Sequence, residues 1–174
     1  MTRQQMLADG ILATVPLVTR FLAGITEDNR TTQVPNLPNH VAWTLGHLAL
    51  YLNRTAERLD RTPLSESDFI TCDGAAGTQE RFDTESSCFG STPVDNPDIY
   101  PTLARATQIF ESACNHLAAA AKQASDATLD QEIKWGSAQI TLAALTQRMI
   151  FHNGLHAGQL TDLRRALSLE SVIQ

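Results

Sequence analysis

The feature that most constrains the fold of this chain is a helical seam that is apolar at both ends and polar in the middle. Its positions step by three and four residues through Leu142, Leu145, Met149, His152, His156, Gln159, Leu163 and Leu167. This spacing predicts a helix from about 141 to 167 that buries one stripe against other helices. Because an unpaired buried polar group costs about 1–3 kcal/mol, the three polar residues require hydrogen bonds, water or a metal ion as partners.

His152 and His156 form an H-x-x-x-H pair at the centre of this seam. Residues four apart lie on one helix face, about 6 Å apart along the axis, so both imidazoles can bind one ion with bonds of about 2.1 Å. The alternative is a pair of histidines on a packed or solvated face. A zinc peptidase of the H-E-x-x-H class is disfavoured, because Asn153 occupies the position of the catalytic glutamate.

Length and composition predict one compact domain over residues 1–174. The chain has 174 residues, a mass of 19.0 kDa and 43% hydrophobic residues, which is enough to bury a core of its own. No apolar run reaches the roughly 18 residues of a membrane span, and the first residues do not resemble a secretory signal. We therefore expect a soluble, cytoplasmic protein that binds no membrane.

Charge and cysteine content argue against further classes of site. The net charge is −6, with Arg164-Arg165 as the one adjacent basic pair, so no nucleic-acid partner is expected. Cys72, Cys88 and Cys114 lack C-x-x-C spacing, which argues against a disulfide framework and a thiolate zinc site.

Three further helices are predicted upstream of the histidine seam. Residues 2–25 form the first, residues 40–59 form the second with Asn39 as its N-cap, and the third opens at Tyr100-Pro101. A turn spans residues 124–136. With four seams of helical period and no convincing strand, the predicted fold is all-α, a four-helix bundle.

The stretch from about 60 to 100 is rich in Ser, Thr, Gly, Asp and Pro and shows no sustained periodicity. It is predicted to be one long crossover loop of the bundle. Connections of this length are usually functional or disordered, and the aromatic residues here favour an ordered cover over part of the bundle. These anchors are Phe69, Phe82, Phe89 and Tyr100.

Two histidines of the second helix are candidates for a further metal ligand. His47 lies in its buried half, and on its own is best interpreted as a core histidine with a hydrogen-bond partner. His40 lies seven residues earlier, about 10 Å away along the axis, so one ion cannot bind both. His47 is preferred because it is deeper, whereas His40 is expected to face solvent or the connecting loop. Gly46 and Gly158 are expected to let helices approach closely.

Two motifs together resemble a known family. Trp43-Thr44-Leu45-Gly46-His47 and His152-x-x-x-His156-x-Gly158-Gln159 are similar to motifs of the DinB-like superfamily of helical bundles. Further similarities, over nearly the whole chain, are Asn39-His40, Phe89-Gly90-Ser91 followed by Pro93, and Tyr100-Pro101. The resemblance implies a four-helix bundle, often a homodimer, with a divalent metal ion bound by three histidines. By position these ligands are His47, His152 and His156.

Three imidazole ligands leave at least one coordination position open, which is typical of a catalytic site. Zn²⁺ is the first expectation, and Ni²⁺ or Fe²⁺ are alternatives because imidazole suits all three. Members of the superfamily include enzymes that use low-molecular-weight thiols. The resemblance therefore implies a metal-dependent enzyme acting on a small molecule, either by S-transfer with such a thiol as co-substrate or by hydrolysis with a metal-activated water. The alternative is a non-catalytic, metal-stabilised bundle that serves in dimerisation, partner binding or metal sensing.

Two further residues are candidates for contacts with the substrate or the metal ligands. Tyr51 and Gln159 each lie about one helical turn beyond a predicted ligand, although each could be an ordinary packing residue. No acidic residue or lysine stands on the histidine seam as a general base. Proton transfer would fall to the metal-bound group, to Tyr51, or to loop residues such as Asp73 or Glu80.

Overall fold

The computed structural model describes residues 1–173 and is mostly helical. Its elements in chain order are helices α1 (Arg3–Phe21) and α2 (Val41–Asp60), strands β1 (Phe69–Ile70) and β2 (Phe82–Asp83), helix α3 (Thr84–Ser87), a 3-10 turn (Pro97–Ile99), helices α4 (Leu103–Gln123) and α5 (Asp126–Leu129), strands β3 (Glu132–Trp135) and β4 (Ala138–Thr141), and helix α6 (Leu142–Ala166). None of these helices, within residues 1–173, has the length and apolarity of a membrane span.

Helices α1 and α2 each pack against both α4 and α6. The interfaces are filled by apolar side chains such as Ile11, Leu48, Phe110 and Leu145, all of which are fully buried. Burial of this apolar surface is the main stabilising contribution to such a core. Because α2 and α6 are neighbours, the histidines on these two helices can meet.

The buried face of helix α6 is wider than the predicted seam. Met149 and His156 of the seam are buried, but so are Asn153 and Leu160. The Asn153 Nδ2 atom donates to Thr14 Oγ1 on α1 at 2.8 Å. The buried face is wider than the seam because α6 packs against α1 as well as α2.

Two helices differ from their predicted bounds. Helix α1 ends at Phe21 instead of residue 25, and Gly24 then adopts a φ of +80° that redirects the chain. Helix α4 begins at Leu103 instead of Tyr100, because Thr102 accepts a backbone hydrogen bond as its N-cap. Tyr100 remains extended and fully buried.

The N-cap of α2 is His40, so the prediction of Asn39 was wrong. The His40 Nδ1 atom accepts the Trp43 N–H at 3.1 Å, and Nε2 lies 3.2 Å from the carbonyl oxygen of Val94. A carbonyl oxygen can only accept, so the proton is on Nε2 and the ring is neutral. His40 is fully buried, and this burial lowers its pKa to about 4. It contacts the connecting loop and does not face solvent.

Acid is expected to destabilise the fold through His40. In the unfolded chain its pKa is about 6.5, so between pH 6.5 and pH 4 the unfolded state binds more protons and stability falls as the pH falls. From pH 7 to pH 5 this effect is about 2 kcal/mol. In urea unfolding with a chelator present, His40→Asn, which keeps an N-cap acceptor, should lose less stability than wild type over this range by about that amount. Identical pH dependence in the two proteins would contradict the assignment.

The segment between α2 and α4 is structured, and the expectation of a fold without strands was wrong. Strands β1 and β2 pair in parallel, with Phe69 opposite Phe82. The buried Asp83 carboxylate accepts backbone N–H groups of Cys72, Gly74, Ala76 and Glu85 at 2.8–3.4 Å. Three of the predicted aromatic anchors are buried, namely Phe69, Phe82 and Tyr100, whereas Phe89 is 85% exposed.

A second strand pair occupies part of the turn that was predicted at 124–136. Strands β3 and β4 are antiparallel, with Trp135 opposite Ala138. Gly136 adopts a φ of +59° in the two-residue turn, a conformation that glycine tolerates best. Thr141 ends the hairpin and accepts the N–H of Ala144 at 3.1 Å as the N-cap of α6. The hairpin therefore leads directly into the histidine helix.

Candidate metal centre

The three predicted histidines come together at the interface of α2 and α6. The Nε2 atom of His152 lies 3.2 Å from Nε2 of His47 and 3.1 Å from Nε2 of His156. One nitrogen from each ring can be chosen so that all three lie within 4.8 Å of one another. His47 and His156 are buried and His152 is half-buried. The four-residue spacing on α6 therefore brings the imidazoles of His152 and His156 together, and α2 supplies the third ring.

The tautomer of His47 is fixed by the backbone. Its Nδ1 atom lies 2.9 Å from the carbonyl oxygen of Ser87, which can only accept, so Nδ1 carries the proton. In the neutral ring the lone pair is then on Nε2, which faces the other two histidines. The Trp43 ring stacks on His47 with centroids 4.4 Å apart and an interplanar angle of 14°. Both contacts orient the His47 ring toward the cluster.

Burial keeps the three imidazoles neutral. It lowers the pKa of His152 to about 3, and nearby His156 and His47 add to this effect. It likewise lowers the pKa of His156 to about 4, and it lowers that of His47 against the opposing effect of the hydrogen bond that His47 donates to the Ser87 carbonyl oxygen. At neutral pH the nitrogen lone pairs are therefore available to a cation without competition from protons.

The arrangement fits a divalent ion. Tetrahedral bonds of about 2.1 Å separate neighbouring ligand nitrogens by about 3.4 Å, close to the 3.1 and 3.2 Å observed. The Nε2 atom of His152 carries at most one proton, which it can donate to one neighbour only. Without a cation, the lone pairs of another pair of these nitrogens therefore face each other. The Nδ1 atoms of His152 and His156 are buried without a partner. A cation at the three Nε2 atoms would remove the repulsion between these rings.

The segment Ser87–Ser91 is fastened to α2 by three hydrogen bonds. They are His47 Nδ1 to the Ser87 oxygen at 2.9 Å, the Phe89 N–H to Tyr51 Oη at 3.0 Å, and Trp43 Nε1 to Ser91 Oγ at 2.9 Å. The three side chains from α2 are four residues apart and therefore share one face. Gly46 permits this approach, since a Cβ atom there would lie 2.6 Å from Ser87 Oγ and 2.7 Å from the Phe82 ring.

A cavity of about 510 Å³ borders the histidines, a size typical of small-molecule sites. It contacts His47, His152 and Tyr51, and its other walls are mostly apolar. The remaining lining residues are Phe89, Trp135, Gly136, Arg148, Met149, Phe151 and Leu155. The cavity is therefore built by α2, α6, the β3–β4 hairpin and the Ser87–Ser91 segment.

The structure brings Tyr51 to the cluster and places Gln159 beside His156, where its side-chain hydrogen bond partly opposes the lowering of the His156 pKa. The Tyr51 ring centroid lies 4.8 Å from that of His47 and 6.0 Å from that of His152. The Gln159 Oε1 atom accepts from Asn39 Nδ2 at 3.3 Å. Of the described residues that line the cavity, none is Gln159, Asp73 or Glu80. The catalytic roles of Tyr51 and Gln159 stay predictions.

Sequence reasoning missed two contributors to this site. Trp43 stacks on His47, and Arg148 lines the cavity one turn before His152. Both lie at four-residue spacing from a predicted ligand, so the same helical pattern could have found them. Gly158 differs from its expected role, because a Cβ atom there would meet nothing within 4 Å in the described structure.

Comparisons with known proteins agree with the sequence motifs. No curated protein matches the chain. A solved structure, described as a conserved protein from Enterococcus faecalis, is similar with a TM-score of 0.71 and 16% identity, covering 97% of this chain and 98% of that one. At this identity the likeness shows the fold alone. The family model described as the DinB superfamily matches residues 13–160, so the resemblance is confirmed and the chain belongs to the DinB superfamily.

Proposed function

We propose that this protein is a metal-dependent enzyme that acts on a small molecule, with thiol-dependent S-transfer as the first candidate reaction and hydrolysis as the second. One observation carries the proposal: nitrogens of three histidines converge within 4.8 Å beside a cavity of about 510 Å³. A closed structural metal site has four protein ligands and no need for a cavity. Three neutral imidazoles beside open space favour a site that binds a further ligand.

His47, His152 and His156 would hold the ion, with Zn²⁺ as the first choice and Ni²⁺ or Fe²⁺ as alternatives. When bound, such an ion lowers the pKa of a coordinated thiol or water and polarises an electrophile. Ser87 supports this role because its carbonyl oxygen holds the proton of His47 on Nδ1. The protein frame that we propose around it is a four-helix bundle with one long crossover between α2 and α4.

Tyr51 is the polar side chain best placed to contact a substrate. Its hydroxyl oxygen accepts the Phe89 N–H at 3.0 Å, which leaves its O–H free to donate. The ring lies against His47 and lines the cavity. We propose that Tyr51 donates a hydrogen bond to the substrate beside the metal ligands. The apolar walls would limit the access of water around the reacting groups.

Other roles remain as proposals of lower rank. Homodimer formation, partner binding or metal sensing would need the ion only for stability, and the cavity would then have no ligand. A cytoplasmic location and a low-molecular-weight thiol as co-substrate are also proposals that follow from the family resemblance. The enzyme proposal is favoured because two of the histidines line the cavity.

The proposal is tested with Zn²⁺-loaded protein in two parallel assays. One follows consumption of a thiol with a panel of alkyl and aryl halides, and the other follows hydrolysis of a panel of activated esters. Metal-dependent turnover in the first assay supports S-transfer, and in the second it supports hydrolysis. Tyr51→Phe should lower the rate by roughly 10²-fold, as expected for loss of one positioned hydrogen-bond donor, while the metal content stays unchanged. A fully loaded protein inactive in both assays would favour the non-catalytic alternative.

A further inference from the structure

Arg148 places one positive charge in the wall of an otherwise uncharged cavity. It lies on α6 one turn before His152, about 6 Å away along the helix axis. Of the residues that line the cavity it alone carries a formal charge at neutral pH, since both histidines are neutral there. Arginine is well suited to hold a carboxylate, because its planar guanidinium group can donate two parallel hydrogen bonds.

Among residues 1–173, the guanidinium group of Arg148 forms no ion pair, and the residue is exposed. The ion pairs of residues 1–173 involve Arg3, Arg30, Arg105, His116 and Arg165 but not Arg148. Arg20, Arg58 and Arg61 also form none of these ion pairs, so the lack of one does not distinguish Arg148 by itself. Arg148 differs from them because it lines the cavity beside His152. Arg148 is thus available to an external anion.

The surroundings of Arg148 select a particular kind of anion. Phe89, Trp135, Phe151 and Leu155 present apolar surface on the same cavity, and Phe89, Phe151 and Leu155 are exposed at 85%, 68% and 50%. The chain has a net charge of −6, so the protein as a whole repels anions, and attraction must come from local positive charge, which Arg148 and a bound metal ion would supply. A fully hydrated, compact anion gains little from the apolar walls.

We infer that Arg148 determines specificity by binding the carboxylate of a small anionic substrate, whose apolar part packs on the aromatic walls and whose donor atom reaches the histidine cluster. The expected class is a small thiol that also carries a carboxylate. This inference rests on the proposed metal-dependent function and narrows its substrate class. Arg148 is a positioning residue here and takes no part in bond making.

Binding to Co²⁺-loaded protein tests the inference without an activity assay. Three thiols of similar size are titrated at constant pH, and each dissociation constant is read from the change in the visible absorption of the cobalt. The thiols are 3-mercaptopropionate, 2-mercaptoethanol and cysteamine, which are negative, neutral and positive at their far end. The measured quantity is the ratio of constants between wild type and variant, so that differences in thiol basicity cancel.

Arg148→Met should raise the dissociation constant of 3-mercaptopropionate by about tenfold and change that of 2-mercaptoethanol by less than about twofold. Arg148→Glu should also shift the preference toward cysteamine. Arg165→Met is the matched control, because it removes an exposed arginine from the same helix away from the cavity. Circular dichroism verifies that all variants are folded, which is expected since Arg148 is exposed.

The outcomes separate this inference from the proposed function. If Co²⁺ is not bound, the metal proposal fails and the inference fails with it. If Co²⁺ is bound but no thiol changes its spectrum, both the inference and the S-transfer candidate are overturned, while hydrolysis stays open. If thiols bind but Arg148→Met keeps the wild-type preference, the inference alone is overturned. Loss of the preference in Arg165→Met as well as in Arg148→Met would also overturn it, because the effect would then reflect only the overall charge.

Discussion

Replacement of His47, His152 and His156 together by alanine is expected to reduce bound zinc from about one ion per chain to a negligible amount. These rings supply the three nitrogens that lie within 4.8 Å of one another. Replacing all three by alanine removes every nitrogen ligand of the proposed site. Bound metal also stabilises the fold, by about 4 kcal/mol when the free ion is at a thousand times its dissociation constant. Mass spectrometry of untagged protein measures the metal, and thermal unfolding with and without chelator measures the stabilisation.

The matched controls are His116→Asn and His40→Asn, which remove histidines outside the cluster. His116 instead bonds Asn53 and Asp60, each at 2.9 Å. Both controls should retain stoichiometric zinc. Equal metal in wild type and the triple variant would contradict the proposed ligands, and negligible metal in both would identify the three histidines as packed core residues.

Replacement of Asp83 by alanine is expected to destabilise the protein by about 3 kcal/mol or more. Its carboxylate is fully buried and accepts four backbone N–H groups, and each buried donor left without a partner costs about 1–3 kcal/mol. Asp83 is also the N-cap of α3, which ends at Ser87. Loss of the cap should therefore disturb the carbonyl that orients His47 and weaken zinc binding. Urea unfolding and a zinc competition titration measure the two effects.

Asp73→Ala is the control for this prediction, because Asp73 is exposed and, among residues 1–173, accepts only the N–H of Ala75, at 3.1 Å. It should change stability by less than about 0.5 kcal/mol. The same pair tests whether Cys72, Asp73 and Asp83, which also lie within 4.8 Å of one another, form a second metal site. We expect none, since the Asp83 oxygens already accept backbone donors; zinc stoichiometry that falls in Asp73→Ala would contradict this.

The histidine cluster was accessible from the sequence because its main determinant is local. His152 and His156 share a face by helical geometry alone, and His47 was preferred to His40 by its depth in the helix and by the family motif. His40 was nevertheless misjudged, because its burial depends on Val94, which is distant in sequence. A histidine at a helix start gives no local sign of such a partner.

The contacts around the cluster could not be predicted from the sequence, because they join residues that are far apart in the chain. The acceptor for His47 is a backbone carbonyl forty residues away, and the position of Ser87 depends on the network around Asp83. Backbone atoms carry no sequence signature. The β3–β4 hairpin is a different case, because Ile133, Trp135 and Ile140 flank Gly136 with partial alternation that a period-two reading could have detected.

The use of a backbone carbonyl to hold His47 also determines where the site tolerates mutation. Every amino acid at position 87 supplies the same carbonyl oxygen, so no single substitution there can delete the acceptor itself. The sensitive position is instead Gly46, where one added methyl group would lie 2.6 Å from Ser87 Oγ and push the segment away from α2. Natural variation that preserves the centre should therefore be narrow at 46 and confined to small side chains at 87, because Ser87 is itself fully buried against α2.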